Sequence, residues 1–135
     1  LAKSTKEFVL KDISELNSIK NAIYVIEEIN GDNKKTFNDF LNYKKLKERA
    51  CPKSNSPSQI MYVGSSSTGV KKRIQQHLGY GPKSTYALHL NHWFKGQYQI
   101  TIKVFEESLE VIQILEDALS KELSPAFGKR GGNNK

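Results

Sequence analysis

From residue 98 to residue 104 the chain alternates strictly, with Tyr98, Ile100, Ile102 and Val104 on one side and Gln99, Thr101 and Lys103 on the other. A period of two predicts a strand with one packed and one wet face, the mark of an antiparallel sheet; the strands of a wound parallel sheet are apolar on both faces. Two shorter runs of β-branched and aromatic residues, 22–26 and 60–63, predict two further strands. Between them the apolar residues recur at helical spacing. Phe37, Phe40, Leu41 and Leu46 share a face opposite lysines, and Val70, Ile74 and Leu78 mark a helix that stops at Gly79. Ser84 is a fitting N-cap for a helix carrying Tyr86, Leu90 and Trp93, a short helix is expected near residues 12–19, and a last one runs over about 108–123 until Pro125 ends it. The expected class is α+β: a small three-stranded, mainly antiparallel sheet flanked by helices.

Composition narrows the chemistry. The 135 residues suffice for one core without staples, and the single Cys51 excludes an internal disulfide and a cysteine-rich zinc site. No apolar run reaches membrane-spanning length, so a soluble, intracellular protein is expected. The formal charge is +7, and the basic residues cluster at Lys34 and Lys35, through Lys44, Lys45, Lys47, Arg49 and Lys53, at Lys71, Lys72 and Arg73, and at Lys129, Arg130 and Lys135. Such patches attract polyanions, nucleic acid being the commonest, although a solvated basic surface has the same composition.

A handful of residues sit where a polar group needs a reason. Tyr24 and Tyr62 each sit within an apolar strand, a position suited to a core tyrosine whose hydroxyl bonds at the rim. Arg73 and His77 lie one helical turn apart on the face that also carries Val70 and Ile74, so they either reach out to solvent or serve a site. Glu116 shares a face with Ile112, Leu119 and Leu123, and a carboxylate there calls for a cation or a cleft. Asp117 points elsewhere and is spaced to pair with Lys121. His89 and His92, without a third ligand, suit packing or surface roles better than zinc.

Taken together, Ala22-Ile23-Tyr24, Tyr62-Val63-Gly64, Arg73 with His77, and Glu116 nine residues before Pro125 resemble the GIY-YIG nuclease superfamily across roughly residues 22–128. Ala22 stands where the family has glycine. The segment between the half-motifs is long and basic, as in the restriction-enzyme branch, and Gly128 stands where many members have an asparagine, a role for which Asn133 or Asn134 are substitutes. On that alignment the chain divides into a helical N-terminal extension (1–20), a nuclease domain (21–127) with a basic insertion at 30–58, and a basic glycine-rich tail (128–135).

The resemblance implies a Mg2+-dependent (or Mn2+-dependent) endonuclease acting on double-stranded DNA, as a monomer or homodimer, in the cytoplasm of a prokaryotic or phage-like source, with a restriction system as the setting. It implies Glu116 as the metal ligand, Arg73 as the clamp on the scissile phosphate, Tyr24 as general base, His77 as its partner in that role or its orienting group, and Tyr62 as the residue that positions water or phosphate. Such a base needs its phenol lowered by a nearby cation. Lys44, Lys45, Lys71, Lys72, Tyr80 and Lys83 are the expected nucleic-acid contacts. The alternatives are a catalytically weak or inactive nucleic-acid-binding module of the same fold and, more remotely, a basic protein-interaction domain.

Overall fold

A computed structural model describes residues 3–129. Four strands form one antiparallel sheet in the order β1-β4-β2-β3: β1 (Lys6–Val9), β2 (Ala22–Ile29), β3 (Ile60–Ser66) and β4 (Gln97–Val104). Three α-helices accompany them, α1 (Asn33–Lys45), α2 (Val70–Leu78) and α3 (Leu109–Leu123).

The α+β class and the antiparallel sheet follow the sequence; the strand count does not. The fourth strand is β1, where a helical extension was expected. Its four residues are too few to display a period, and Lys6 and Glu7 lend it no apolar character. Pairing supplies what pattern lacks: Phe8 lies opposite Ile102, and Glu7 lies opposite Lys103, with which it forms an ion pair at 3.8 Å. The expected helix near 12–19 reduces to a 3₁₀ turn at Ile13–Leu16, closed by reciprocal bonds between Asp12 and Glu15. The first twenty residues are therefore partly woven into the sheet.

The helix expected after Ser84 is likewise replaced by irregular chain with one 3₁₀ turn, Leu90–His92. Side chains, not a helical ladder, satisfy the backbone here. His77 Nδ1 accepts from the Leu88 amide at 3.1 Å, the Leu88 carbonyl accepts from Trp93 Nε1 at 2.6 Å, and the Tyr86 carbonyl accepts from Arg73 at 2.9 Å.

The alternation in β2 splits the core. Ala22, Tyr24 and Ile26 face Phe40 and Tyr43 of α1, Val70 and Ile74 of α2, and Leu88, Leu90 and Trp93. Ile23 and Val25 face the other way, toward Val63, Phe105 and Ile112 of α3. Helix α3 packs on β3 and β2, and Gln99, Thr101 and Lys103 of β4, on the uncovered part of that face, stay half-buried. Ser108 caps α3, accepting from Val111 N. Beyond Ser124 the chain turns back through 125–128, all buried, to lie against Tyr62.

Candidate active site

The two tyrosine-bearing strands are neighbours, with Tyr24 directly opposite Gly64. A Cβ at residue 64 would collide with the Tyr24 phenol, so the glycine of Tyr62-Val63-Gly64 makes room for the other half-motif's tyrosine. The Tyr24 and Tyr62 rings stack nearly parallel, at 8°, with centroids 6.2 Å apart. Helix α2 lays His77 across both: its ring centroid is 4.4 Å from that of Tyr62, and its Nε2 is 3.0 Å from the Tyr24 hydroxyl oxygen.

The hydrogen bonds fix the protonation of His77. Its Nδ1 accepts the Leu88 amide, so in the neutral ring Nε2 carries the hydrogen and donates it to Tyr24. Burial, then the charge of Arg73, then His89 hold its pKa well below the ordinary histidine value, so the ring is neutral. With Nδ1 bonded and Nε2 protonated, His77 has no free lone pair with which to take a proton. Of the two roles expected for it, orienting Tyr24 is the one its geometry permits.

Tyr24 is fully buried, and burial raises its phenol strongly, with Tyr62 adding to the rise and Arg73 only partly opposing it. With no metal ion beside it, Tyr24 is a neutral hydroxyl. Tyr62 is half-buried. Its hydroxyl accepts from Arg73 Nη2 at 3.4 Å, and Arg73 is further pinned by the Gln76 side chain at 3.1 Å and the Tyr86 carbonyl. Burial works against the guanidinium's charge, but the two tyrosines outweigh it and raise its pKa, so Arg73 is a fixed cation beside Tyr62.

Glu116 lies on the buried side of α3, as its spacing predicts, at 4% exposure. It is close enough to Tyr24 for its charge to raise the phenol further, but it bonds to neither tyrosine. One carboxylate oxygen accepts from Ser65 Oγ at 2.5 Å and the other meets Lys129 Nζ at 2.5 Å. Asp117, expected to pair with Lys121, meets the same ammonium at 2.8 Å. The donor set suits a hard cation: carboxylate oxygens and a hydroxyl, around a seat that already holds a positive charge. Among the described residues no group of three or more His, Cys, Asp or Glu is placed to hold a metal. A Mg2+ ion here would depend on Glu116, water and substrate oxygens.

Tyr62 and Gly128 also line a groove of about 960 Å³. One wall is the end of the basic insertion, with Lys44, Lys47, Arg49 and Lys53; the other carries Lys83, Ser84 and Tyr86. The walls are stitched together, because Ala50 N donates to the Lys83 carbonyl, Arg49 Nη1 to the Gly81 carbonyl, and His89 Nε2 to the carbonyls of Ala50 and Thr85. The cluster thus reaches a cationic trough through Tyr62. No protein-family model, curated protein or solved structure matches the chain.

The structure brings Tyr24, Tyr62, Arg73 and His77 into one cluster and sets Glu116 at its edge. Of the expected nucleic-acid contacts, Lys44 and Lys83 line the groove. Lys45, Lys72 and Tyr80 are exposed away from its lining, and Lys71 donates to Asn17. Four residues that matter were not singled out. Lys47 and Arg49 had shown only as members of a charge cluster. Lys129 lay in what read as a tail. Asn55 gave no signal at all, yet its side-chain amide donates to the carbonyls of Pro125 and Gly128 and ties down the turn beside Tyr62. Asn133 and Asn134, the substitutes considered for the family's asparagine, lie outside the described residues. At position 128 itself φ is +89°, and a Cβ would stand 2.7 Å from the Tyr62 ring, so glycine is what lets the turn close on the tyrosine.

Proposed function

We propose that this chain is a metal-dependent endonuclease of the GIY-YIG kind that hydrolyses phosphodiester bonds in double-stranded DNA. The observation that carries the reading is that Tyr62, which lines a basic groove, accepts a hydrogen bond from Arg73. A polyanion drawn into that groove meets Tyr62, whose hydroxyl is bonded to a guanidinium already held in place, so little ordering of that pair remains to be done when substrate arrives.

Within this reading the substrate-facing tyrosine is Tyr62, which orients the phosphate or the attacking water, while Arg73 neutralises charge developing on the phosphate oxygens. Tyr24 and His77 form a positioning pair behind them. His77 gives its Nε2 hydrogen to Tyr24, and Tyr24 keeps its own hydrogen for donation. Glu116 is the metal ligand, with Ser65 fixing the carboxylate's orientation. The metal supplies charge neutralisation at the phosphate and a more acidic bound water.

Supercoiled plasmid incubated with Mg2+ should be nicked or cut by this chain and left intact by Glu116→Ala, with a rate difference of about a hundred-fold or more. Equal cleavage by both proteins sinks the assignment of Glu116. A second reading, a DNA-binding module with weak or no catalysis, is favoured by the ammonium already seated on Glu116 and by the raised phenol of Tyr24. It predicts salt-sensitive binding of DNA without metal-dependent nicking.

A further inference from the structure

Glu116 already holds a cation, and it is one of the chain's own. Lys129 follows a turn that is fixed on both sides: Gly128 N donates to the Lys53 carbonyl at 2.9 Å, Asn55 donates to the Gly128 carbonyl at 2.9 Å, and Ser120 Oγ donates to the Lys129 carbonyl at 2.7 Å. From this anchored backbone the side chain, 19% exposed, delivers its ammonium between Glu116 and Asp117. The remaining oxygen of Glu116 is taken by Ser65, so both oxygens of the carboxylate are occupied.

We infer that Lys129 is an internal competitor for the divalent cation, holding the Glu116 seat until a metal ion displaces its ammonium. The inference rests on the nuclease reading for the identity of the incoming ion, and on the ion pairs alone for its mechanism. Two cations cannot share one carboxylate oxygen at contact distance without strong repulsion. A metal ion that takes this oxygen displaces the ammonium, and the free energy of the Lys129–Glu116 pair is then subtracted from the metal's affinity. Removing the ammonium leaves two adjacent carboxylate groups without their shared partner, which strengthens attraction for a divalent ion.

The test is a calorimetric titration of the DNA-free protein with MnCl2, comparing the wild type with Lys129→Met and Lys129→Gln and repeating each on a Glu116→Gln background. Melting temperatures with and without Mn2+ give a second readout. The expected result is about ten-fold tighter Mn2+ binding in both neutral variants, a larger rise of their melting temperature with Mn2+, and loss of both effects with Glu116→Gln. Equal affinity in wild type and neutral variants, still abolished by Glu116→Gln, overturns the competitor role while leaving the metal assignment standing. No Mn2+ uptake by the neutral variants overturns both. Uptake that survives Glu116→Gln places the ion elsewhere and likewise overturns the inference.

Discussion

His77 shows how little freedom a single side chain retains once both its nitrogens are committed. Its neutral ring is the connection between the irregular segment after α2 and the Tyr24 hydroxyl, and protonating it would force an N–H against the Leu88 amide. Its folded pKa is depressed, so below the unfolded value of about 6.5 the unfolded chain binds a proton that the folded chain refuses. Stability is therefore full above that pH and falls as pH drops through it, at about 1.4 kcal/mol per pH unit for this residue until the folded pKa is reached. His89 is shifted the same way and adds to the slope. Urea midpoints between pH 7.5 and 5 should fall steeply for the wild type and less steeply for His77→Gln. An unchanged slope would mean that the folded protein holds the charged ring. The tautomer was not legible in the sequence, because the amide that decides it belongs to a residue eleven positions away in irregular chain.

At the level of elements, the C-terminal turn depends on a latch from the basic insertion. Ser54 bridges Phe127, Asn55 N donates to the Ala126 carbonyl, and the Asn55 side chain spans the carbonyls of Pro125 and Gly128. Asn55→Ala strips two acceptors of their partner in a half-buried setting, at a cost of about 1–3 kcal/mol. The expected outcome is a lower melting temperature, faster hydrogen exchange at the Phe127 and Gly128 amides, and reduced activity through a loosened Tyr62. Amide exchange that does not change would show the turn to be held by its backbone bonds alone. Long, periodic elements were legible: α1, α2, α3 and β4 stand where spacing places them. The brief β1 and the chain over 84–93 were not, because pairing with β4 decides one and side-chain bonds from α2 and Trp93 decide the other.

At the scale of the whole molecule, the lysines separate into those that line the groove and those outside it. Lys47 and Lys83 both line the groove, whereas Lys45 and Lys72 are exposed outside its lining. If DNA lies in the groove, Lys47→Ala with Lys83→Ala should weaken binding and flatten the dependence of log K on log salt by about 0.9 for each phosphate contact removed. Lys45→Ala with Lys72→Ala should leave the slope near that of the wild type. Fluorescence anisotropy on a labelled duplex over a range of salt decides between them, and equal losses in the two pairs would reject the groove as the binding surface. Among the described residues no helix is long and apolar enough to cross a membrane.

The sequence alone settled what depends on neighbours in the chain: the antiparallel character of the sheet, three helices, the glycine that ends α2, and a carboxylate on the packed side of α3. Local periodicity records which face of an element is buried, and that record is complete within a few turns or a few strand residues. Tertiary structure decided what depends on partners far along the chain. It made Tyr24 an inaccessible neutral phenol and Tyr62 the tyrosine at the groove, and it drew Asn55 onto the final turn. It seated Lys129 on Glu116. Protonation states and ion pairs follow from distance and burial in space, and no spacing of residues along a chain fixes either.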